Sequence, residues 1–258
     1  MISLRQAFML ENGGVVSIVG AGGKTTLMYR LARELAEAGE SVLTTTTTKI
    51  LKPEKDQAAH FIFARSVEEI VKRAEELPAN HPHLCASLEQ IDPNGKTKGF
   101  PPEWIDELMQ THVFKWILVE ADGAARKPLK APADYEPVIA QTTKWVVGVM
   151  GLDALQKPFG SEWVFRSELF QALTGLSMGE PITPEVVVTA IIHQKGLFKD
   201  CPLSTKRILF LNKADLAGAL DQGRRIIACL QKEANENPIR VVIGQVQQAV
   251  PVLEYVDL

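Results

Sequence analysis

The chain has 258 residues, 46% of them hydrophobic and 23% charged, with a formal net charge of -3. Those are ordinary values for a globular protein long enough to bury a sizeable core, and without a long basic run they argue against a nucleic-acid surface. Cys85, Cys201 and Cys229 are too widely spaced for a disulfide framework or a zinc site and fit a reducing cytoplasm, while no segment approaches the ~20 apolar residues of a membrane span and Met1 to Glu11 does not read as a signal peptide.

In chain order, the first strong element is the apolar run Val15–Val19, which reads as a buried strand. Gly20-Ala21-Gly22-Gly23-Lys24-Thr25-Thr26 follows it and leads into a helical pattern over Thr25–Ala38 that Gly39 stops. Further strands are expected at Ser41–Thr45, Phe61–Ala64, Leu84–Ser87, Lys115–Val119, Trp145–Met150, Arg207–Leu211 and Arg240–Ile243. Helices are expected at Val67–Leu77, Glu103–Thr111, Arg166–Thr174, Pro184–His193 and Ala217–Asn235. Stretches rich in Pro, Gly and Lys at Lys52–Asp56 and Ile91–Pro102 read as loops. The alternation predicts an α/β fold with a doubly wound, mostly parallel sheet. Residues 152–205 carry no strong strand and are expected to be a helical insertion within a single domain spanning 1–258.

Strand, glycine-rich turn, Lys-Thr and helix describe a phosphate-binding loop, and with it a fold of the P-loop NTPase type. Glycines let backbone N–H groups crowd around phosphate oxygens, and the helix N-terminus adds unpaired donors and a favourable dipole. Lys24 would reach the terminal phosphates, and Thr25 would offer its hydroxyl to Mg²⁺. The loop departs from the full motif, which wants glycine where Ile18 stands. Its compact form also occurs in Mur-type peptide ligases.

Asn212-Lys213-Ala214-Asp215 ends a strand as N-K-x-D, the pattern with which GTPases read guanine. Asp215 would accept from the ring N–H and exocyclic amine, Lys213 would lie over the base, and Asn212 would brace the loop. The plainer alternative makes Asp215 a helix cap. Val119-Glu120-Ala121-Asp122-Gly123 places two acids at a strand end, where open α/β sheets bind ligands and phosphate-loop enzymes hold Mg²⁺ or its waters. A solvated Asp-Gly turn is the alternative.

The cations after it, Arg126, Lys127 and Lys130, suit an anion or a solvated loop equally. The run Thr44–Thr48 and Lys49 end the second strand, where threonine is a plain β-former or, since the strand end is expected to neighbour the phosphate loop, Thr46, Thr47 and Lys49 supply metal or phosphate contacts. Arg166 reads as a partner of Glu168 at a helix start or, more sharply, as a nucleotide-facing arginine. His81 and His83 read as loop histidines, without ligand partners at metal spacing.

On these residues the chain resembles the YqeC family, described as selenium-dependent hydroxylase accessory or selenium cofactor biosynthesis proteins. The resemblance lies in Val16–Thr26, in Val119-Glu120-Ala121-Asp122-Gly123-Ala124-Ala125-Arg126-Lys127-Pro128-Leu129-Lys130, in Val147–Leu155, in Val164-Phe165-Arg166 and in Phe210–Asp215. It extends over most of the chain, with the E-A-D-G-A-x-x-K-P-x-K stretch the most distinctive part. It implies a phosphate-loop nucleotide-binding protein working with selenium-dependent molybdenum hydroxylases or the selenium-cofactor machinery.

The residues and the resemblance together lead to one expectation: Mg²⁺-dependent binding and hydrolysis of GTP in preference to ATP, with Lys24, Glu120 and Asp122 catalytic and Thr25 and Glu120 at the metal. The alternatives are an ATP-dependent kinase or Mur-like ligase acting on a small acidic metabolite, and a binding module in which nucleotide only tunes partner affinity. No nucleic acid and no membrane is expected among the partners.

Overall fold

The structure, a computed structural model, describes residues 2–78, 81–233 and 239–258. Its elements in chain order are α1 (Leu4–Ala7), β1 (Gly14–Gly20), α2 (Lys24–Glu37), β2 (Val42–Thr46), β3 (Lys49–Leu51), β4 (His60–Phe63), α3 (Val67–Glu75), β5 (His83–Ser87), β6 (Glu89–Gln90) and β7 (Lys96–Lys98). They continue with α4 (Pro102–Gln110), β8 (Trp116–Glu120), β9 (Leu129–Lys130), β10 (Thr143–Gly151), β11 (Val164–Phe165), α5 (Ser167–Thr174), α6 (Pro184–Ile192), β12 (Lys206–Asn212), α7 (Ala219–Leu230), β13 (Ile239–Gly244) and β14 (Val252–Asp257).

The main sheet has nine strands in the order β14-β13-β12-β10-β1-β8-β2-β5-β4. Among the described residues only β14 runs antiparallel to its neighbour in that sheet; the rest pair in parallel. β1, β2 and β8 are buried at every position, as strands covered on both faces must be. Side chains alternate between the faces. Val16, Ile18, Leu118, Val147, Val149 and Phe210 meet Leu27, Met28, Leu31 and Leu35 of α2. On the opposite face, Val15, Leu43, Ile117 and Val119 pack against α3 and α4, while Leu209, Leu211, Val241 and Ile243 pack against α6 and α7. The fold is thus a doubly wound, mostly parallel α/β sheet, as the alternation predicts.

The chain from 152 to 205 holds a 3-10 turn at Leu152–Ala154, then β11, α5 and α6. Phe159, Phe170, Ile182, Val187 and Ile191 pack into the same cluster as β12 and β13. β11 pairs in parallel with β9, joining this stretch to the segment after β8.

Four features differ from the sequence reading. That reading has no strand at β14, an edge strand in which only Val252 is buried and exposed and half-buried positions alternate after it, a weak apolar signal. The expected loop Ile91–Pro102 contains β7, which pairs with β3 and β6 in a small antiparallel sheet; only Thr97 is buried between two exposed lysines. Helix α7 is shorter than the expected Ala217–Asn235, and residues 234 and 235 of that range lie outside those described. His83 opens β5 and pairs through Nε2 with Thr44 Oγ1 at 2.9 Å; burial first, then His60, pushes it down to about 4. Among the described residues no helix is long and apolar enough to cross a membrane.

Candidate functional site

β1 delivers the chain to the glycine loop at the C-terminal edge of the sheet, between β10 and β8. Gly22 has φ +82° and Gly23 φ +128°. A Cβ on Gly22 would collide with the backbone of Gly151 at the end of β10, and one on Gly23 with the Asn212 side chain. Glycine is therefore required twice over, by backbone conformation and by close approach. Gly23 is the N-cap of α2 and supplies no side-chain cap. Leu27 N–H closes the first turn on the Gly23 carbonyl at 2.9 Å, so the amides of Lys24, Thr25 and Thr26 have no intrahelical acceptor. They face the mouth of the loop with the positive end of the helix behind them. Ala21 N–H is spent on Val149 O at 2.8 Å and Gly22 N–H on Lys127 O at 3.0 Å, which fix the loop's base.

Lys24 is 4% exposed. Its ammonium donates to the Gly20 carbonyl at 2.7 Å and lies 3.1 Å from Asp122 Oδ1 and 3.7 Å from Glu120 Oε1. Burial works against the charge, but Asp122 and Glu120 outweigh it and hold the lysine above its ordinary range. β8 pairs directly with β1 and carries Glu120 at its end. Burial pushes Glu120 up, opposed in part by Lys24 and Thr25. Thr25 Oγ1 donates to Glu120 Oε2 at 2.7 Å. Asp122 Oδ2 accepts from Gly20 N–H and from Lys130 Nζ, both at 2.9 Å.

On the other side of β1, Asn212 ends β12 and is 2% exposed. Its Nδ2 donates to the Gly22 carbonyl at 2.8 Å and its Oδ1 accepts from Val246 N–H at 3.0 Å. One side chain thus ties the glycine loop to the turn after β13. Lys213, at φ +69°, pairs with Asp153 Oδ2 at 2.6 Å. Asp215 is exposed and accepts from Gln248 Nε2 at 3.1 Å. It does not cap α7, whose N-cap is Gly218.

The loop Gly20–Thr26, the acids Glu120 and Asp122, and Asn212–Asp215 therefore sit on the ends of β1, β8 and β12, along one edge of the sheet. Other expected residues fall elsewhere. β2 is separated from β1 by β8, so its end does not neighbour the loop. Thr46 Oγ1 is spent on the Glu120 carbonyl at 2.7 Å and Thr47 Oγ1 on the Val138 carbonyl at 2.6 Å. Lys49 is exposed and sits in the small sheet opposite Lys98. Arg126 is exposed and Lys127 half-buried in the loop beside Gly22. Lys130 is buried and faces Asp122 and Glu136, not solvent. Arg166 pairs with Glu136 rather than Glu168, its Nη1 2.5 Å from Oε2.

The sequence reading misses Glu136 and Asp153 as site residues. Glu136 lies on an irregular segment where no periodicity marks it; burial opposes its charge, but Arg166 and Lys130 prevail and hold it down at about 2. Asp153 stands in the Gly151-Leu152-Asp153 stretch noted for its resemblance, without a pattern to suggest its hold on Lys213.

The model of the YqeC family, described as "YqeC protein", matches residues 16–168, which include the glycine loop, both acids and Arg166. The uncharacterized protein YqeC of Escherichia coli (strain K12) is 35% identical over 209 residues, 77% of this chain and 75% of that protein. A crystal structure of FtsY from Mycoplasma mycoides covers 97% of this chain and 70% of its own at 14% identity, with a TM-score of 0.43, and so loose a superposition carries no argument. On the family match and the 35% identity over most of its length, the chain belongs to the YqeC family.

Proposed function

We propose that this chain binds a Mg²⁺ nucleoside triphosphate on Gly20–Thr26 and hydrolyses it, with GTP preferred over ATP. The observation that carries the proposal is Lys24 at an uncapped helix N-terminus, beside Glu120 at the end of the adjacent strand and Asp122 just past it. An open set of amides, a lysine and paired carboxylates is what phosphoryl transfer needs from a protein. In this reading Lys24 leaves the Gly20 carbonyl for the terminal phosphates and stabilises charge developing on the transferred group. Glu120 or Asp122 orients the attacking water.

The donor set suits Mg²⁺. Thr25 Oγ1 and Glu120 Oε2 meet 2.7 Å apart at the loop mouth, and both are the hard oxygens that ion takes. The bound ion would neutralise phosphate charge. At the base end, Asp215 would exchange its bond from Gln248 for the guanine N–H groups, with Lys213 held against the base by Asp153 and Asn212 bracing the loop. We take 1–258 as one domain with 152–205 as its helical insertion. Family membership supports service to selenium-dependent molybdenum hydroxylases or selenium cofactor biosynthesis, and three free thiols fit the cytoplasm.

Calorimetric titration with GTP and ATP, each with Mg²⁺ and with chelator, tests the proposal. Mg²⁺-GTP is expected to bind about tenfold or more tightly than Mg²⁺-ATP, the worth of a charge-assisted hydrogen bond from guanine to Asp215. No binding of either nucleotide would sink it. Binding of ATP alone, with phosphoryl transfer to a small acid, would turn the assignment to a kinase or Mur-like ligase, which the compact loop also fits.

A further inference from the structure

Lys130 has 2% side-chain exposure. Its ammonium donates to Asp122 Oδ2 at 2.9 Å, to the Gly123 carbonyl at 2.6 Å and to Glu136 Oε2 at 2.5 Å. Three acceptors saturate an ammonium, so this lysine has no donor left for a phosphate. Glu136 is gripped in turn by the Arg166 fork, Nη1 to Oε2 at 2.5 Å and Nη2 to Oε1 at 3.0 Å. Two parallel bonds of this kind fix orientation as well as energy. Arg166 is itself held over the Phe165 ring at 4.5 Å, in a left-handed conformation at the N-cap of α5. Charges of alternating sign thus run from the phosphate loop to the first turn of α5: Lys24, Asp122, Lys130, Glu136, Arg166.

The two oxygens of Asp122 have different surroundings. Oδ2 is filled by Gly20 N–H and Lys130. Oδ1 is buried, faces Lys24 at 3.1 Å, and has no aligned hydrogen bond. We infer that Lys130 is a positioning residue for the phosphate site. By occupying Oδ2 it fixes the plane of the Asp122 carboxylate, so that Oδ1 stays aimed at the loop once Lys24 turns to a phosphate. Glu136 and Arg166 anchor Lys130 against being drawn into the site by the incoming anion. The inference rests on the triphosphate reading given above. It makes Lys130 act through Asp122 and not on the substrate.

The experiment compares the parent with Lys130→Met, Lys130→Arg and Glu136→Gln in two readouts. In steady-state Mg²⁺-nucleotide hydrolysis, Lys130→Met is expected to lower kcat about tenfold or more, the usual scale for a misaimed group, with KM within about twofold. Lys130→Arg recovers part of the loss. The second readout needs no turnover: Gly20 N–H donates to Asp122 Oδ2, so its amide NMR signal reports the carboxylate's aim. In Lys130→Met that signal moves upfield and exchanges faster, while the amides of Val16 and Ile18 in the same strand keep their shifts. Should Lys130→Met not fold, Glu136→Gln loosens the lysine without emptying its place and moves the Gly20 amide in the same direction by less. A Gly20 amide indifferent to both substitutions, or a KM that rises in step with the fall in kcat, overturns the inference. A parent protein that binds no triphosphate overturns the functional proposal, and the role of Lys130 with it. A parent that turns over nucleotide while the Gly20 amide ignores Lys130 overturns this inference alone.

Discussion

Lys24 does not wait extended in the loop. It is folded back onto the Gly20 carbonyl and two carboxylates, and in the proposed reading a nucleotide would have to draw it away from them. Lys24→Ala is expected to abolish triphosphate binding by calorimetry, since every charge-assisted hydrogen bond from the ammonium to a phosphate is worth ~1.5–3 kcal/mol. Retained affinity would remove the phosphate-loop assignment. Glu120→Gln keeps an acceptor for Thr25 Oγ1 and removes the charge. It is expected to slow single-turnover hydrolysis about a hundredfold while changing nucleotide affinity far less. Asp215→Asn should weaken GTP and shift preference toward xanthosine triphosphate, whose 2-oxo group complements the new amide. Unchanged affinities for GTP, ATP and xanthosine triphosphate would leave Asp215 a surface residue bonded to Gln248. Lys24, Thr25 and Glu120 are legible in the sequence because their chemistry depends on neighbours along the chain: a turn, a helix start, a strand end. Glu136 is not, because its importance arises only when Lys130 and Arg166, six residues before it and thirty after it, close on it in space.

At the scale of elements, the central strands declare themselves by nearly continuous apolar runs, broken in β1 by the buried Ser17, as burial on both faces demands. The small sheet of β3, β6 and β7 does not, since its strands are short and mostly exposed. Strand order is also beyond the sequence: nothing in Thr44–Thr48 tells that β8 inserts between β2 and β1. The link between elements that matters most is Asn212, with one amide bonded to β1's loop and to the turn after β13. Asn212→Ala leaves a buried carbonyl and a buried N–H unpaired. It is expected to cost ~1–3 kcal/mol per group in urea unfolding and to weaken GTP and ATP alike. A variant as stable as the parent would show that water replaces both bonds.

Across the whole molecule, the acid side of the stability profile has an identifiable source. Glu136 is held at about 2 in the folded protein, below its value of 4.5 when unperturbed. The stability this supplies is complete above the unfolded value and is lost as the pH falls through the folded one. Unfolding midpoints in urea are therefore expected to fall between about pH 5 and pH 2, and to fall less steeply in Glu136→Gln. Equal slopes in the two proteins would mean that other carboxylates set the profile.

The charges at the sheet edge, all buried except the half-buried Arg166, balance in number. Lys24, Lys130 and Arg166 stand against Glu120, Asp122 and Glu136. In the proposed reading these side chains exert little net pull on a distant polyanion, and the N-terminus of α2 acts only at close range. Capture and retention are then the work of different residues. In the proposed reading Arg126, exposed on the loop beside Gly22, would supply the outward field, with Lys127 half-buried next to it. Their attraction is screened over a Debye length of about 8 Å at physiological salt. In stopped-flow measurements Arg126→Ala should slow nucleotide association and flatten its dependence on ionic strength, leaving the dissociation rate near that of the parent.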